Sequence, residues 1–120
     1  MTVIQDFPLP ANNDMDVTFT IDPTDNISLV GATVEWRAWA SAFGVPSGDP
    51  LITKASNEEG LFGPQITILE SPGQFIVHVY AVDTALSFGN YYHEALVIDA
   101  SEDRATVCQG TMTITQALIP

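Results

Sequence analysis

The sequence predicts an all-β protein with a single domain. Short segments alternate between apolar and polar residues, which is typical of half-buried strands. Clusters of Gly, Pro, Asn and Asp interrupt these segments about every ten residues, as in sandwiches with turns between short strands. The 120 residues suffice for one domain with its own core. We therefore expect about seven or eight strands, arranged as a β-sandwich or a small barrel.

The first clear strand covers residues 16–22, where Val17, Phe19 and Ile21 alternate with threonines and so share one face. Residues 31–43 fit two patterns. Alternation of Val34, Trp36 and Ala38 favours a strand, whereas the spacing of Trp36, Trp39, Ala40 and Phe43 also fits a helix. We favour a strand to about Ala40, because no suitable helix-capping residue precedes the segment.

The next strand covers residues 71–80, with Phe75, Val77 and Val79 on one face. Asp83 is a candidate cap for a short helical turn over residues 83–86. In residues 92–98 the apolar side chains Tyr92, Leu96 and Ile98 fall on one face, together with Glu94. The last strand, 106–115, places four residues on one face: Cys108, Gly110, Met112 and Ile114. Gly110 is expected to mark a bulge or a close approach of another backbone.

Composition excludes several classes of protein. The net charge is −12, and the three cationic residues are scattered along the chain, which argues against binding to nucleic acid or to an anionic membrane surface. Apolar residues make up 46% of the chain and charged residues 15%, which argues against disorder. No apolar run is long enough to span a membrane, and the N-terminus lacks the pattern of a signal peptide. We expect a soluble protein that is synthesised in the cytoplasm.

No motif points to catalysis, a cofactor or a metal. The acidic loops around Asp22, Asp25 and Asn26 and around Glu102 and Asp103 lack the spacing of a calcium-binding loop, so turn formation is the favoured interpretation. His78 and His93 are interpreted as strand residues that are either solvent-facing or hydrogen-bonded, and Cys108 as a small buried hydrophobe. Neither a nucleophile elbow nor a phosphate-binding loop occurs. We expect a protein that is not an enzyme.

The candidate contact residues are apolar side chains near the chain ends and one tryptophan. Residues 1–10 and 117–120 are apolar and rich in proline, so we expect terminal arms that pack on the domain or on a neighbour, or else an edge strand of the same sheet. Trp39 is expected to lie on the face opposite Trp36. The predicted interface residues are Ile4, Phe7, Leu9, Trp39, Leu118 and Ile119.

Four segments together resemble a family of phage proteins. Leu29, Gly31, Ala32, Val34 and Trp36 lead into the second clear strand. The later segments are residues 73–79 with Asp83 and Thr84, residues 89–99, and residues 109–114. This order resembles the N-terminal domain of phage baseplate upper proteins and related small virion proteins of tailed phages.

The resemblance implies a fold and a role. It implies a single antiparallel, immunoglobulin-like β-sandwich over residues 1–120, in which Tyr91 begins a strand where such domains commonly form a tyrosine corner. It also implies a non-enzymatic structural protein of the virion, present in multiple copies and docked to other proteins of the tail, baseplate or neck. Two alternatives remain open at this point: a capsid decoration (cement) protein on the head, and a small carbohydrate- or calcium-binding module.

Overall fold

The computed structural model describes residues 2–22, 27–42, 45–60, 63–70 and 73–116, and these residues form an all-β structure. The strands, in chain order, are β1 (Val3–Ile4), β2 (Phe7–Pro10), β3 (Met15–Thr20), β4 (Thr33–Ala42), β5 (Val45–Ala55), β6 (Glu59–Gly60), β7 (Gly63–Pro64), β8 (Ile66–Leu69), β9 (Gln74–Val79), β10 (Gly89–Ile98) and β11 (Arg104–Thr115). The prediction of an all-β chain is confirmed. No helix long and apolar enough to cross a membrane occurs in the described part of the chain.

The strands form two larger sheets and one small hairpin. The six-stranded sheet has the order β1-β11-β10-β4-β5, with β2 also paired to β11. The three-stranded sheet has the order β3-β9-β8, and β6 pairs with β7. Both larger sheets contribute to one hydrophobic cluster, in which Phe19 and Phe75 stack at 5.3 Å and Trp36 is fully buried. The alternation in β3, β4, β9 and β11 therefore predicted their buried faces correctly.

The N-terminal segment is an edge of the six-stranded sheet. Both β1 and β2 run parallel to β11, with Val3 opposite Cys108 and Phe7 opposite Met112. The edge-strand interpretation of this segment is thus correct, and the strands do not form a free arm. Leu9 is fully buried and belongs to the chain's own core.

Gly110 lies where the link between β1 and β2 crosses β11. A Cβ atom at this position would collide with the carbonyl of Gln5 and would meet the carboxylate of Asp6 at 2.7 Å. That carboxylate accepts a hydrogen bond from the Thr111 backbone N–H at 2.8 Å. The predicted close backbone approach is therefore present. The bulge of this strand lies elsewhere, at Val107, since Cys108 and Thr106 pair with the consecutive residues Ala95 and Leu96.

We expect Gly110→Ala to destabilise the protein by about 1–3 kcal/mol, because the added methyl group must displace the backbone at Gln5. Urea unfolding measures the loss, and hydrogen exchange should show faster exchange in residues 3–6 than elsewhere in the sheet. Gly48→Asn is the matched control. Gly48 has a positive φ of 73° that Asn tolerates, and its Cβ position is open. Equal stability of Gly110→Ala and wild type would contradict the expectation.

Two sequence predictions are wrong in the region between β9 and β11. The buried face of β10 consists of Tyr91, His93, Ala95 and Val97, whereas Tyr92, Leu96 and Ile98 are only partly buried on the other face. Residues 81–84 form a turn and not a helix. The Asp83 carboxylate accepts a hydrogen bond from the preceding Tyr80 N–H at 2.9 Å, so it closes a turn instead of starting a helix.

His93 is a buried polar residue that connects the core to the N-terminal edge. Its Nε2–H donates to the Gln5 carbonyl at 2.6 Å, and its Nδ1 accepts the Trp36 indole N–H at 3.3 Å. The rings of Phe7 and Phe19 lie 4.8 and 5.8 Å from the imidazole. Burial lowers the pKa of His93 below 6.5, so the neutral ring is favoured. Of the two alternatives that the sequence left open, His93 is therefore hydrogen-bonded and not solvent-facing.

Lys54 is a second buried polar residue, and sequence reasoning did not single it out. Its ammonium group is 2.7 Å from the Asp83 carboxylate and 4.5 Å from the centre of the Tyr80 ring. The lysine side chain is 5% exposed and that of Asp83 is 19% exposed. This pair joins the edge strand β5 to the turn after β9, and so ties the two larger sheets together.

Candidate functional site

A shallow cavity of about 220 Å³ opens on the outer face of the six-stranded sheet. Its walls come from alternate residues of neighbouring strands, because Arg37 on β4 lies opposite Glu94 on β10, and Glu35 lies opposite Leu96. Arg104 reaches the same cavity from the start of β11. The lining residues are Glu35, Arg37, Trp39, Glu94, Leu96 and Arg104.

Both arginines of this acidic chain line the cavity, and two carboxylates accompany them. The Arg37 guanidinium lies 3.5 Å from Glu35, at the outer limit for a hydrogen bond. Arg104 makes no ion pair or hydrogen bond through its side chain with any described residue, and it is exposed. Donors and acceptors are therefore both available at the cavity wall.

Trp39 lines one side of the cavity, and the neighbouring Tyr92 contacts both its ring and Glu94. The Trp39 and Tyr92 rings are 5.8 Å apart, on residues that lie opposite each other on β4 and β10. The Tyr92 hydroxyl donates to Glu94 Oε1 at 3.1 Å and lies 3.2 Å from the Gln109 side chain. Burial, reinforced by the hydrogen bond and the charge of Glu94, raises the pKa of Tyr92 to about 12. The hydroxyl therefore stays protonated at neutral pH and fixes the position of the Glu94 carboxylate.

A hydroxyl, an imidazole and a carboxylate line up on the outer face of the three-stranded sheet. His78 Nδ1 is 2.7 Å from Asp16 Oδ1, and His78 Nε2 is 2.7 Å from Thr67 Oγ1. The hydroxyl–imidazole–carboxylate arrangement resembles a hydrolase triad. A hydrolase needs, besides the triad, hydrogen-bond donors that point at the oxyanion formed during the reaction. His78 lies on the central strand β9, whose backbone N–H groups face the ladders with β3 and β8. We therefore assign these contacts to cross-strand stabilisation.

The metal-binding candidates lack a ligand cluster in the described ranges, which contain no group of three or more His, Cys, Asp or Glu residues able to hold an ion. Asp99 Oδ1 accepts the backbone N–H groups of Ser101 and Asp103 at 2.8 and 2.9 Å, as a turn residue does. Asp25 and Asn26 lie outside the described residues. Cys108 is buried, and burial together with the charge of Asp6 raises the pKa of its thiol to about 11, so it stays a thiol.

The six predicted interface residues are placed differently by the structure. Ile4 is exposed, whereas Phe7 packs on the core and Leu9 is fully buried in it. The side chain of Leu9 is therefore not available for contact with a neighbour, whereas that of Phe7 is partly exposed. Trp39 is partly buried at the cavity, and Leu118 and Ile119 lie outside the described residues.

Acidic residues and exposed apolar side chains are unevenly distributed between the two ends of the strands, although Val30 and Leu69 are exposed at the acidic end too. One end, here called the acidic end, contains the connections β3–β4, β5–β6, β8–β9 and β10–β11. The Ile21 N–H donates to the Gly73 carbonyl at 3.1 Å, and Gly31 lies beside Ala100. The described acids of this end are Asp22, Glu58, Glu59, Glu70, Asp99, Glu102 and Asp103.

The opposite end, here called the apolar end, contains the connections β2–β3, β4–β5 and β9–β10. Exposed apolar side chains lie here, with Val82 74% and Phe88 64% exposed, alongside Met15 and Val45. The carboxylates of this end are engaged: Asp14 accepts the Ala81 N–H at 2.7 Å, and Asp83 pairs with Lys54. The sequence predicted neither the apolar end nor the cavity, because both depend on which strands pair and in which register.

No family model fits the chain, and no curated protein is similar enough to be matched to it.

Proposed function

We propose that this chain is an immunoglobulin-like β-sandwich that acts as a non-enzymatic docking module in the virion of a tailed phage. The strand order supports the fold assignment. One sheet has the order β11-β10-β4-β5 with an N-terminal strand parallel to β11, and the other has the order β3-β9-β8, as in immunoglobulin-like domains. The Tyr91 hydroxyl donates to the Ser87 carbonyl at 2.6 Å, in the manner of a tyrosine corner.

A further parallel lies in the core. In antibody domains the corner tyrosine stands two residues before a cysteine, against which a buried Trp from the opposite strand packs. Here His93 stands two residues after Tyr91, and the Trp36 indole hydrogen-bonds to it. A hydrogen-bonded histidine in an aromatic cluster thus takes the place of the disulfide, which suits synthesis in a reducing cytoplasm.

The docking role rests on one observation, the apolar end. Four of the eight large apolar side chains that are exposed among the described residues lie at this end, and such a concentration supports an interaction surface. The acids at the other end favour hydration and repel further copies. A module of this kind attaches by one end to a larger particle and leaves the other in solvent. The partners are other virion proteins of the tail, baseplate or neck, as the family resemblance implies.

We expect the double variant Val82→Asp/Phe88→Asp to lose incorporation into particles, since charge on both side chains opposes burial at an interface. Purified protein is added to particles of the encoding phage that lack it, and bound protein is measured by sedimentation and quantitative gel. Thermal unfolding should change little, because both side chains are exposed.

Val30→Asp is the matched control, since Val30 is exposed beside the acidic end. It should leave incorporation unchanged. Normal incorporation of the double variant, or equal loss with the control, would count against the apolar end as the docking surface. Binding to tails in few copies supports the proposal, whereas hundreds of copies on heads would instead assign the chain as a decoration protein.

Truncation at the chain ends separates two further possibilities. Removal of residues 1–10 deletes β1 and β2 with the buried Leu9, so it should destabilise the domain and cannot report on docking. Removal of residues 117–120 deletes Leu118 and Ile119 and tests their proposed contact with a neighbour. Incorporation should fall in this variant while thermal unfolding stays unchanged.

A further inference from the structure

We infer that the cavity on the outer face of the six-stranded sheet is a binding subsite for one sugar ring of a neutral saccharide. It lies on the flat side of the sheet and not at the apolar end, so it does not depend on the docking role. Its volume of about 220 Å³ is below the range of about 300–1,000 Å³ typical of sites for drug-sized ligands, and so suits a single ring.

The charges of the cavity select a neutral ligand. Arg37 and Arg104 are balanced by Glu35 and Glu94, whereas the chain as a whole carries a net charge of −12. An anionic ligand would approach against this long-range field, and a cation would meet two guanidinium groups inside the cavity. A neutral ligand is subject to neither penalty.

The polar groups of the cavity suit a ligand that both donates and accepts hydrogen bonds. A sugar hydroxyl donates to a carboxylate and accepts from a guanidinium, so each kind of wall residue has a complementary partner. Arg104 has no side-chain partner among the described residues to give up, and the 3.5 Å contact of Arg37 with Glu35 is weak. Glu94 is held in position by the Tyr92 hydroxyl at 3.1 Å. Binding therefore requires little rearrangement of the wall.

The aromatic side of the cavity provides the apolar contact that a sugar ring needs. Trp39 is partly exposed, and its ring packs against the Tyr92 ring with 5.8 Å between the ring centres, which restricts the orientation of the indole. The C–H groups on one face of a pyranose ring form an apolar patch, and an indole ring combines a large apolar surface with a polar edge. Stacking on Trp39 would leave the ring hydroxyls directed at the charged wall.

The experiment is a ¹H–¹⁵N NMR titration of the purified chain with maltotriose, cellotriose and chitotriose as separate probes. The two tryptophans provide an internal comparison, because Trp39 lines the cavity whereas Trp36 is buried and hydrogen-bonded to His93. We expect at least one probe to shift the Trp39 indole N–H signal in a saturable manner, and the Trp36 signal to stay in place. Polygalacturonate fragments, which carry carboxylates, should bind at least about tenfold more weakly.

Trp39→Ala and Arg104→Gln should each raise the Kd at least about tenfold, as followed through the backbone signals of β4 and β10. Phe88→Ala is the matched aromatic control and should bind as wild type does, because Phe88 is exposed at the apolar end. Arg104→Gln alters an exposed side chain, so folding is retained and the test stands even if Trp39→Ala unfolds. The absence of a saturable shift with all three probes, or equal binding by Arg104→Gln and wild type, would overturn the inference.

Discussion

Asp83→Asn should destabilise the protein by about 3 kcal/mol, because it leaves the buried ammonium group of Lys54 without its counter-charge. Removal of one partner of a buried ion pair typically costs about 3–5 kcal/mol, and the lower value applies here since the Asp83 side chain is 19% exposed. Asn keeps an oxygen that can accept the Tyr80 N–H, so the turn itself is preserved. The difference is read from the free energy of unfolding in urea.

The double variant Lys54→Met/Asp83→Asn should recover most of this loss. Met has a similar length and carries no charge, so the buried site then contains an apolar chain beside a neutral amide. Asp49→Asn, at an exposed position on β5, is the matched control and should change stability by less than about 0.5 kcal/mol. If Asp83→Asn costs no more than Asp49→Asn, the ion pair does not stabilise the fold in the way described.

Stability should fall as the pH drops below about 6.5, because His93 is held neutral in the folded state. Above that pH the histidine is neutral in both states and contributes no pH dependence. Below it the unfolded chain binds a proton that the folded chain resists, so the unfolded state is favoured. For this single group the free energy of unfolding falls by at most about 1.4 kcal/mol per pH unit. The fall stops at the pH where His93 in the folded state is also protonated.

The geometry explains why protonation of His93 is costly. A proton on Nδ1 would face the Trp36 indole N–H, which can only donate, so the 3.3 Å hydrogen bond would become a contact between two donors. The measurement is urea unfolding between pH 7.5 and 5 in a His78→Gln background. The chain has two histidines, so His93 alone remains in this variant. His93→Phe in that background should be less stable at pH 7.5 and show a flatter pH dependence. An unchanged slope would assign the acid sensitivity to the carboxylates.

Sequence reasoning predicted the buried faces of strands that alternate plainly. Val17 and Phe19 alternate with threonines, so burial of one face keeps these apolar side chains out of water. Phe75, Val77 and Val79 likewise share one buried face, although Ile76 on the other face is also apolar. Prediction failed on β10, where the buried face carries His93 and the small Ala95. A histidine counts as polar in such a pattern, yet its two ring nitrogens are satisfied by Gln5 and Trp36, which are distant in sequence.

The candidate sites were less accessible to prediction for a related reason. Arg37 lies 57 residues before Glu94, and Arg104 lies 10 residues after it, so no sequence motif links the three. They line one cavity because β4 and β11 both pair with β10. Lys54 resembles any exposed lysine in the sequence, because its partner Asp83 belongs to a turn of the other sheet. Trp39 was singled out because two tryptophans three residues apart on a strand must point to opposite faces.

The parallel pairing of β2 with β11 has a consequence for the order of folding. Phe7 on β2 pairs with Met112 on β11, although the two residues are far apart in sequence, so β2 can take its place in the sheet only after β11 has left the ribosome. Until β11 is available, one edge of β10 has no pairing strand, and the apolar side chains of β2 have no sheet to pack on. Chains dominated by such distant contacts fold slowly, on a scale of about milliseconds to seconds, and their unpaired strand edges are exposed to aggregation during that time.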